Sequence, residues 1–245
     1  MRDYIHALLD LFYPRYCLHC NAHLNDSREI YLCPYCKKAI SFIRNDHCIR
    51  CGTALGPHTT STIQEGCTAC KGKHFYFDTV TSITRYDGVT KTLIHKFKYA
   101  KQKFVASVLN NIVTMHARFE ETLSGVDIIV PVPLFWLKKL HRGFNQSELL
   151  SLGIQRHLSK PISRNNLCRV KNTVSQTQLS RSQRQTNVRN AFFVKNPSLF
   201  KDKKILLVDD VLTTGVTASE CAKKLKESGA LSVHVFVLAK AEYNT

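Results

Sequence analysis

The chain has 245 residues, 44% of them hydrophobic, which suits one catalytic-sized domain with a small appendage and excludes two large domains. Its formal net charge of +17 indicates an acidic partner, for which nucleic acid is the leading candidate. The first apolar segment, Tyr4 to Phe12, contains Asp10 and is short, so it predicts an amphipathic helix and not a signal peptide or a membrane span. We expect this helix to pack on the rest of the protein, with transient docking to a membrane as the alternative.

Eight of the ten cysteines precede residue 75 and form four Cys-x-x-Cys pairs. Eight thiolates can complete two tetrahedral, structural Zn²⁺ sites. The simplest pairing is sequential, although the spacing also fits an interleaved one. Disulfides and an iron–sulfur cluster are the alternatives, and the lack of a secretory signal disfavours disulfides. The sequential ligand sets are Cys17, Cys20, Cys33 and Cys36 for one ion, and Cys48, Cys51, Cys67 and Cys70 for the other.

After the cysteines, Asp78 to Tyr86 alternates as a strand and ends in a turn at Asp87 and Gly88. Lys91 to Met115 then has helical periodicity. This segment is rich in lysine, which is typical either of a solvated helix face or of an anion-binding surface. We assign Lys96 and Lys98 to a nucleic-acid surface.

A second buried strand is predicted over Val126 to Val130, and it leads through Pro131 and Pro133 into a basic cluster. The cluster consists of Lys138, Lys139, His141 and Arg142. The next helix begins after Arg142 and buries Leu149, Leu150, Ile154 and Leu158. Its positive N-terminal end lies close in sequence to the basic cluster, which favours an anion site there.

The segment from Leu149 to Lys201 contains ten lysines and arginines and no acidic residue. Its polar part, Cys168 to Asn190, lacks apolar periodicity and predicts a long mobile loop. Such a loop could close over a ligand or lie along a nucleic-acid backbone. We assign Arg169, Arg181, Arg184 and Arg189 to nucleic-acid binding.

The most informative stretch follows, because a buried strand over Ile205 to Val208 ends in Asp209 and Asp210. Ligands of open α/β sheets bind at the carboxyl ends of strands. The next segment, Val211, Leu212, Thr213, Thr214, Gly215, Val216 and Thr217, supplies backbone amides, hydroxyls and a glycine, which is typical of a phosphate-binding loop. Two adjacent carboxylates suit the hydroxyls of a ribose, while the loop holds its 5′-phosphate. A helix from Ala218 to a stop near Gly229 and a strand over Val233 to Leu238 complete the unit.

The residues VDDVLTTGVT resemble the 5-phosphoribosyl-1-pyrophosphate (PRPP) signature of type I phosphoribosyltransferases. The order of the cysteine pairs, YDGVTKTLIHKFKYAKQ, VPVPLFWLKKLHRGFNQSELL, LCRVKNTVSQTQLSRSQRQTNVRNAF and ILLVDDVLTTGVT is similar to the ComF (ComFC/GntX) family. The resemblance covers nearly the whole chain. It implies an α/β fold, a parallel sheet with helices on both faces as in type I phosphoribosyltransferases, preceded by a cysteine-rich double zinc ribbon. We predict the ribbon over residues 1–75 and the phosphoribosyltransferase-like domain over 76–245.

The resemblance also implies roles for the candidate residues. Asp209 and Asp210 would be the catalytic pair that orients the ribose, and residues 211–217 would bind PRPP. The basic residues Lys138, Lys139 and Arg142 would receive pyrophosphate, with Mg²⁺ bridging its oxygens.

The family is associated with natural transformation, the cytoplasmic handling of incoming single-stranded DNA. We therefore expect a cytoplasmic protein that binds PRPP and single-stranded DNA, with a helicase or another DNA-uptake protein as a candidate partner. The alternative is an active, Mg²⁺-dependent phosphoribosyltransferase that modifies a nucleobase or nucleotide and has no direct role on DNA.

Overall fold

In a computed structural model, the described residues are 14–24, 31–43, 47–56, 59, 61–62, 65–99, 102–116, 123, 125–172 and 188–241. Six strands are found in this part of the chain: β1 (Thr79–Arg85), β2 (Ile128–Pro131), β3 (Leu167–Arg169), β4 (Phe192–Val194), β5 (Lys204–Leu212) and β6 (Ser232–Lys240). The helices there are α1 (Pro34–Lys38), α2 (Gly88–Tyr99), α3 (Val105–Thr114), α4 (Trp136–Arg142), α5 (Gln146–Leu158) and α6 (Val216–Glu227). Among these residues no helix has both the length and the hydrophobicity needed to cross a bilayer.

The central sheet has the strand order β1-β6-β5-β2, and its neighbouring strands are all parallel. A second, two-stranded antiparallel sheet joins β3 to β4. In the central sheet, β5 is followed by α6 and then by its neighbour β6, which is a parallel strand–helix–strand unit. Because the strands are parallel, their carboxyl ends meet at one edge, and β5 brings Asp209 and Asp210 to that edge.

Helices cover both faces of the sheet, which explains why its strands are continuous apolar runs. Alternate residues of β5 pack into two hydrophobic cores, one on each face of the sheet. Leu206 and Val208 belong to the core formed with α2, α3 and α5. Ile205 and Leu207 belong to the core formed with α6 and the β3–β4 sheet. The prediction of a parallel sheet with helices on both faces is confirmed.

The cysteine-rich region packs directly on β1, the strand at the edge of the sheet. The backbone amide of Arg85 donates to the carbonyl of Ser41, and the amide of Ile43 donates to Ile83, both at 2.9 Å. Further along, the amide of Val80 donates to the carbonyl of Ile49 at 2.8 Å. These bonds satisfy an edge that would otherwise be open to pairing with another chain. The boundary that we propose near residue 75 thus separates regions that are joined by backbone hydrogen bonds.

Two predicted elements differ from the structure. The segment Lys91 to Met115 forms two helices, α2 and α3, and the sequence between Tyr99 and Val105 contains two lysines and a glutamine. The strand predicted over Ile205 to Val208 continues to Leu212, since β6 pairs with β5 as far as Lys240. The two aspartates therefore lie within the last part of β5. The N-terminal helix predicted from Tyr4 lies outside the described residues.

Candidate functional site

The two aspartates of β5 have different surroundings, because successive residues of a strand point to opposite faces. Asp210 is 6% exposed and lies 2.8 Å from the amino group of Lys98 in α2. Asp209 accepts a hydrogen bond from the hydroxyl of Ser147 in α5 at 2.9 Å, and another from the amide of Asp210. The pair is therefore held from two sides, with one carboxylate neutralised by a lysine and the other oriented by a serine.

The loop after β5 has a glycine at the start of a helix, an arrangement that phosphate-binding loops share. Gly215 has φ +80°, a conformation that side chains disfavour, and it forms the N-cap of α6. A methyl group on Gly215 would approach the ring of Phe75 to 3.2 Å, so the backbone itself packs on that ring. The amides at the start of α6 carry the positive end of the helix dipole. This arrangement agrees with the phosphate-binding role predicted for residues 211–217, which stays a prediction.

The junction of α4 and α5 is built by the sequence Arg142 to Gln146. Gly143, at φ +80°, ends α4, and the side chain of Asn145 caps α5 by accepting from the amide of Ser147. The Asn145 amide group also donates to the carbonyl of Val132 at the exit of β2. This network places Ser147 beside Asp209 and directs α4 toward the same edge of the sheet.

A cavity of about 390 Å³ lies between α2 and α4. Among the described residues, three of the seven that line it are lysine or arginine and none is acidic. The lining residues are Lys98, Tyr99, Leu137, Lys138, His141, Arg142 and Asn172. The guanidinium of Arg142 lies over the ring of Tyr99, 5.6 Å from its centroid, which helps to hold it at the cavity. The cavity therefore suits an anion such as pyrophosphate.

The three residues predicted to bind pyrophosphate do not lie together. Lys138 and Arg142 line the cavity, whereas the amino group of Lys139 pairs with Glu148 at 3.2 Å and is absent from the lining. Adjacent residues of a helix, such as Lys138 and Lys139, point in different directions, so their closeness in sequence does not predict which of them faces the cavity.

Two residues predicted to bind nucleic acid are instead directed toward the aspartate pair. Lys98 pairs with Asp210, and Arg169 lies over the ring of Phe192, where the charge of Asp209 acts on it. Lys96 is half-buried in α2, and Arg189 is exposed near the β3–β4 sheet. Arg181 and Arg184 lie outside the described residues, as does most of the predicted long loop.

The charges at this site shift the pKa values of its groups. Burial and the charge of Asp210 raise the pKa of Asp209 to about 6. Burial lowers the pKa of Lys98, but Asp210, together with Asp209 and Tyr86, more than offsets it, so that the pKa of this lysine is raised. Burial, followed by Arg169 and Arg142, lowers the pKa of Lys138. The concentration of positive charge is thus unfavourable without an anion, which is the condition expected of an anion-binding site.

The raised pKa of Asp209 predicts a pH-dependent cost in stability. Its pKa is ordinarily 3.8, so the folded state retains the proton more strongly than the unfolded chain does. Stability from this group therefore falls as the pH rises from about 4 to about 6. We expect Asp209→Asn to raise the free energy of unfolding by about 1–3 kcal/mol at pH 7, and by about half as much at pH 5.

Urea unfolding of the metal-loaded protein at pH 5 and pH 7 measures this effect. The matched control is Asp202→Asn, which makes the same change at an exposed position. An equal gain for Asp209→Asn at both pH values would contradict the raised pKa.

The eight N-terminal cysteines form two clusters, and the sequential pairing is confirmed. In each cluster the sulfur atoms lie within 4.8 Å of one another. Individual separations are 3.8 Å for Cys20 and Cys33, 3.8 Å for Cys48 and Cys70, and 3.7 Å for Cys51 and Cys67. Four sulfurs about 2.3 Å from a tetrahedral Zn²⁺ lie about 3.8 Å apart, so both clusters fit this ion. These separations are far longer than the bond of about 2.05 Å in a disulfide, which disagrees with the disulfide alternative.

Sequence reasoning missed two residues of the site. Ser147 gave no signal beyond its place after the Asn145 cap, and its partner Asp209 is 62 residues away. Lys240 looks like a terminal lysine of a strand, but it is 6% exposed and donates to the carbonyl of Thr213 at 2.9 Å. Its position after a run of apolar residues in β6 is the only sequence feature that could have indicated burial.

Two protein families match this chain, one over the cysteine-rich region and the other over the region with β5 and β6. The double zinc ribbon domain family matches residues 8–71, and the phosphoribosyl transferase domain family matches residues 137–244. Competence protein F of Haemophilus influenzae is 31% identical over 92% of this chain and 96% of its own length.

Two other relatives extend the comparison. The DNA utilization protein YhgH of Escherichia coli K12 is 32% identical over 85% of this chain and 90% of its own length. Competence protein ComFC of Bacillus subtilis is 24% identical over 86% of this chain and 84% of its own length. The two cysteine clusters, the parallel sheet and this similarity over most of the chain show that the chain belongs to the ComF family.

Proposed function

We propose that this protein binds PRPP with Mg²⁺ at the carboxyl edge of its sheet, and that it binds single-stranded DNA as part of natural transformation in the cytoplasm. The observation that carries the PRPP proposal is the placement of the Asp209–Asp210 pair between the 213–217 loop and the cationic cavity. A ribose would lie against the aspartates, its 5′-phosphate against the loop, and its pyrophosphate in the cavity.

Unsatisfied polar atoms near the edge support a ligand there. Thr214 Oγ1 and Gln146 Nε2 are buried and have no hydrogen-bond partner among the described residues. Buried polar atoms are normally paired, and leaving one unpaired costs about 1–3 kcal/mol. A bound sugar phosphate supplies many acceptors for hydroxyl and amide donors of this kind.

Lys98 is an internal counterion of the aspartate pair in the proposed site. Its amino group neutralises Asp210 and also lines the cavity, so it joins the proposed ribose and pyrophosphate positions. The oxygen donors of Asp209 and Asp210 suit Mg²⁺, which would supply charge neutralisation for pyrophosphate. Ser147 fixes the orientation of Asp209. Positioning and electrostatics are the contributions that such a site can make.

Isothermal titration calorimetry of the zinc-loaded protein with PRPP and Mg²⁺ tests the proposal. We expect saturable binding at one site per chain, and weaker binding of ribose 5-phosphate or pyrophosphate alone, since each occupies only part of the site. Absence of heat with PRPP would overturn the proposal.

The DNA proposal depends on the family and on charge. Relatives over most of this chain are named for competence and for DNA utilisation, and the net charge of +17 exceeds what a PRPP site needs. Arg189 is exposed beside β4 and continues the basic segment that includes Arg181 and Arg184. This segment suits phosphate contacts, which are independent of base sequence.

Salt dependence measures those contacts. We expect the logarithm of the affinity for single-stranded DNA to fall with the logarithm of salt concentration by about 0.7 for each phosphate contact. Replacing Arg181, Arg184 and Arg189 with glutamine should reduce that slope by about 2 and weaken binding to unrelated sequences equally. The control replaces three exposed lysines with glutamine at the start of β5, the end far from the aspartates: Lys201, Lys203 and Lys204. A slope unaffected by the arginine changes would contradict the assignment.

Catalysis is the second candidate function. The proximity of Lys138 to Arg142 and Arg169 favours it, since Arg169 also interacts with Asp209. These cations would stabilise the charge on departing pyrophosphate. Release of pyrophosphate from PRPP, assayed with nucleobases, nucleotides and single-stranded DNA, distinguishes an enzyme from a binding protein.

A further inference from the structure

The second cysteine cluster lies against the loop that we propose to hold the 5′-phosphate, and two separate sets of contacts connect them. The first runs through Phe75, whose side chain packs on the cluster of Cys48, Cys51, Cys67 and Cys70. The same ring meets Gly215, where an added methyl group would come within 3.2 Å of it. Phe75 also stacks on Phe77, with ring centroids 4.9 Å apart, so its orientation is fixed.

The second set of contacts runs through Lys240. Gly52 follows the Cys48–Cys51 knuckle, and its amide donates to the carbonyl of Cys48 at 2.7 Å. A methyl group on Gly52 would lie 3.5 Å from Cδ of Lys240 and 3.1 Å from Val80, so the knuckle rests on the lysine stem and on β1. The Lys240 amino group donates to the carbonyls of Thr213 and Ala241, both at 2.9 Å. The buried amino group of Lys240 thus binds Thr213, the first residue of the loop, while its side chain packs against the turn at Gly52.

These contacts have a consequence for metal binding. Four thiolates hold their knuckles in place only while an ion is bound, because the ligand geometry comes from the ion. Release of the second zinc removes the constraint on the turn from Cys48 to Gly52 and on the cysteines that pack against Phe75. The contacts of Phe75 and Lys240 with the loop are then weakened. Coupling between two sites is reciprocal, so a ligand that orders the loop must also strengthen retention of the metal.

We infer that Phe75 and Lys240 are positioning residues that couple the second cysteine cluster to the 213–217 loop, so that zinc occupancy and sugar-phosphate binding strengthen each other. The inference rests on the proposed PRPP site. It assigns the second ribbon a role in ligand binding, and it predicts that loss of this zinc alone switches binding off. The first cluster lacks contacts of this kind with the loop among the described residues.

Thiol alkylation resolved by peptide tests the coupling, because it reports the two clusters separately. The zinc-loaded protein is treated with a zinc-selective chelator and iodoacetamide, with and without PRPP and Mg²⁺. We expect PRPP to slow alkylation of Cys48, Cys51, Cys67 and Cys70 by at least about fivefold. Alkylation of the first cluster should change by less than about twofold, since no coupling is expected there.

Two variants locate the coupling. Lys240→Met keeps the length of the side chain but removes its hydrogen bonds, and Phe75→Leu keeps an apolar contact but removes the ring. Both should reduce the protection by PRPP to less than about twofold. Lys204→Met, at the exposed opposite end of β5, is the matched control and should retain it. Equal protection of both clusters, or none, in a protein that binds PRPP by calorimetry would overturn the inference.

Hydrogen exchange separates this outcome from failure of the proposed function, because it needs no PRPP. Cys67→Ser, which disrupts the second cluster and leaves the first cluster intact, should speed exchange of the amides from 213 to 217 by at least about tenfold, and Lys240→Met should do so in the zinc-loaded protein. The amides of β2 serve as the internal reference. Unchanged loop exchange contradicts the coupling whether or not PRPP binds.

Discussion

Replacing both Asp209 and Asp210 with asparagine is expected to weaken PRPP and Mg²⁺ binding by at least about 100-fold, because each hydrogen bond to a charged group contributes about 1.5–3 kcal/mol. Asparagine keeps the shape of each side chain but removes the anionic oxygens that suit ribose hydroxyls and Mg²⁺. The change also leaves Lys98 without its carboxylate partner. The positive charge of Lys98 then remains at the cavity without a carboxylate to neutralise it.

Stability is measured alongside binding, because the two replacements act on it in opposite directions. The charge on half-buried Asp209 is destabilising at neutral pH, whereas the loss of Asp210 leaves Lys98 without its ion-pair partner. Calorimetry on the double variant and on the Asp202→Asn control compares the loss of the two carboxylates at the site with the loss of one exposed carboxylate at the surface. Affinity within about fivefold of the unmodified protein, a loss of about 1 kcal/mol, would be too small for residues that hold the ribose.

The same double variant tests whether DNA uses the sugar site. We expect its affinity for single-stranded DNA to stay within about twofold, since phosphate contacts on the basic segment need no carboxylate. A rise in DNA affinity after the two charges are removed would indicate that DNA passes close to the aspartates. A large fall would place the DNA in the pocket itself.

The sequence was sufficient to predict the elements whose signal is local. The strand that precedes Asp209 was evident from its apolar run, and Gly229, at φ +87°, follows the C-terminus of α6 as expected of a helix stop. The sequential cysteine pairing was the simplest choice, and the two clusters confirm it. In each case the physical cause acts within a few residues or within one repeated motif.

The contacts that define the candidate site could not be predicted in this way, because they join distant parts of the chain. Lys98 looked like one of several lysines on a helix, and only the packing of α2 on the sheet brings it to Asp210. The sequence predicts that Arg169 belongs to the basic loop, but the antiparallel pairing of β3 with β4 holds it where the charge of Asp209 acts on it. Charge density thus predicted an anion-binding surface, and tertiary packing decides which of its cations reach the pocket.

Loss of the first zinc site should have the largest effect on stability. Cys17, Cys33 and Cys36 are buried in the same core as Ile83 and the helices α2 and α3, so this ribbon is continuous with the main hydrophobic core. A structural zinc site contributes about 10–16 kcal/mol of apparent binding free energy, whereas whole domains are stable by about 5–15 kcal/mol. We expect Cys33→Ser to reduce the free energy of unfolding by at least about 5 kcal/mol and to abolish or severely lower the cooperative thermal transition.

The matched control for this prediction is Cys168→Ser, which changes a thiol outside both clusters. Cys168 is half-buried, and its thiol donates to the carbonyl of Asn165 at 3.3 Å, a bond that a serine hydroxyl can replace. We expect its stability to change by less than about 1 kcal/mol and its zinc content to stay at two ions per chain. Metal analysis and calorimetric unfolding of the two variants provide the comparison. If Cys33→Ser unfolds like the control, the first ribbon is an appendage and its shared core contributes little to folding.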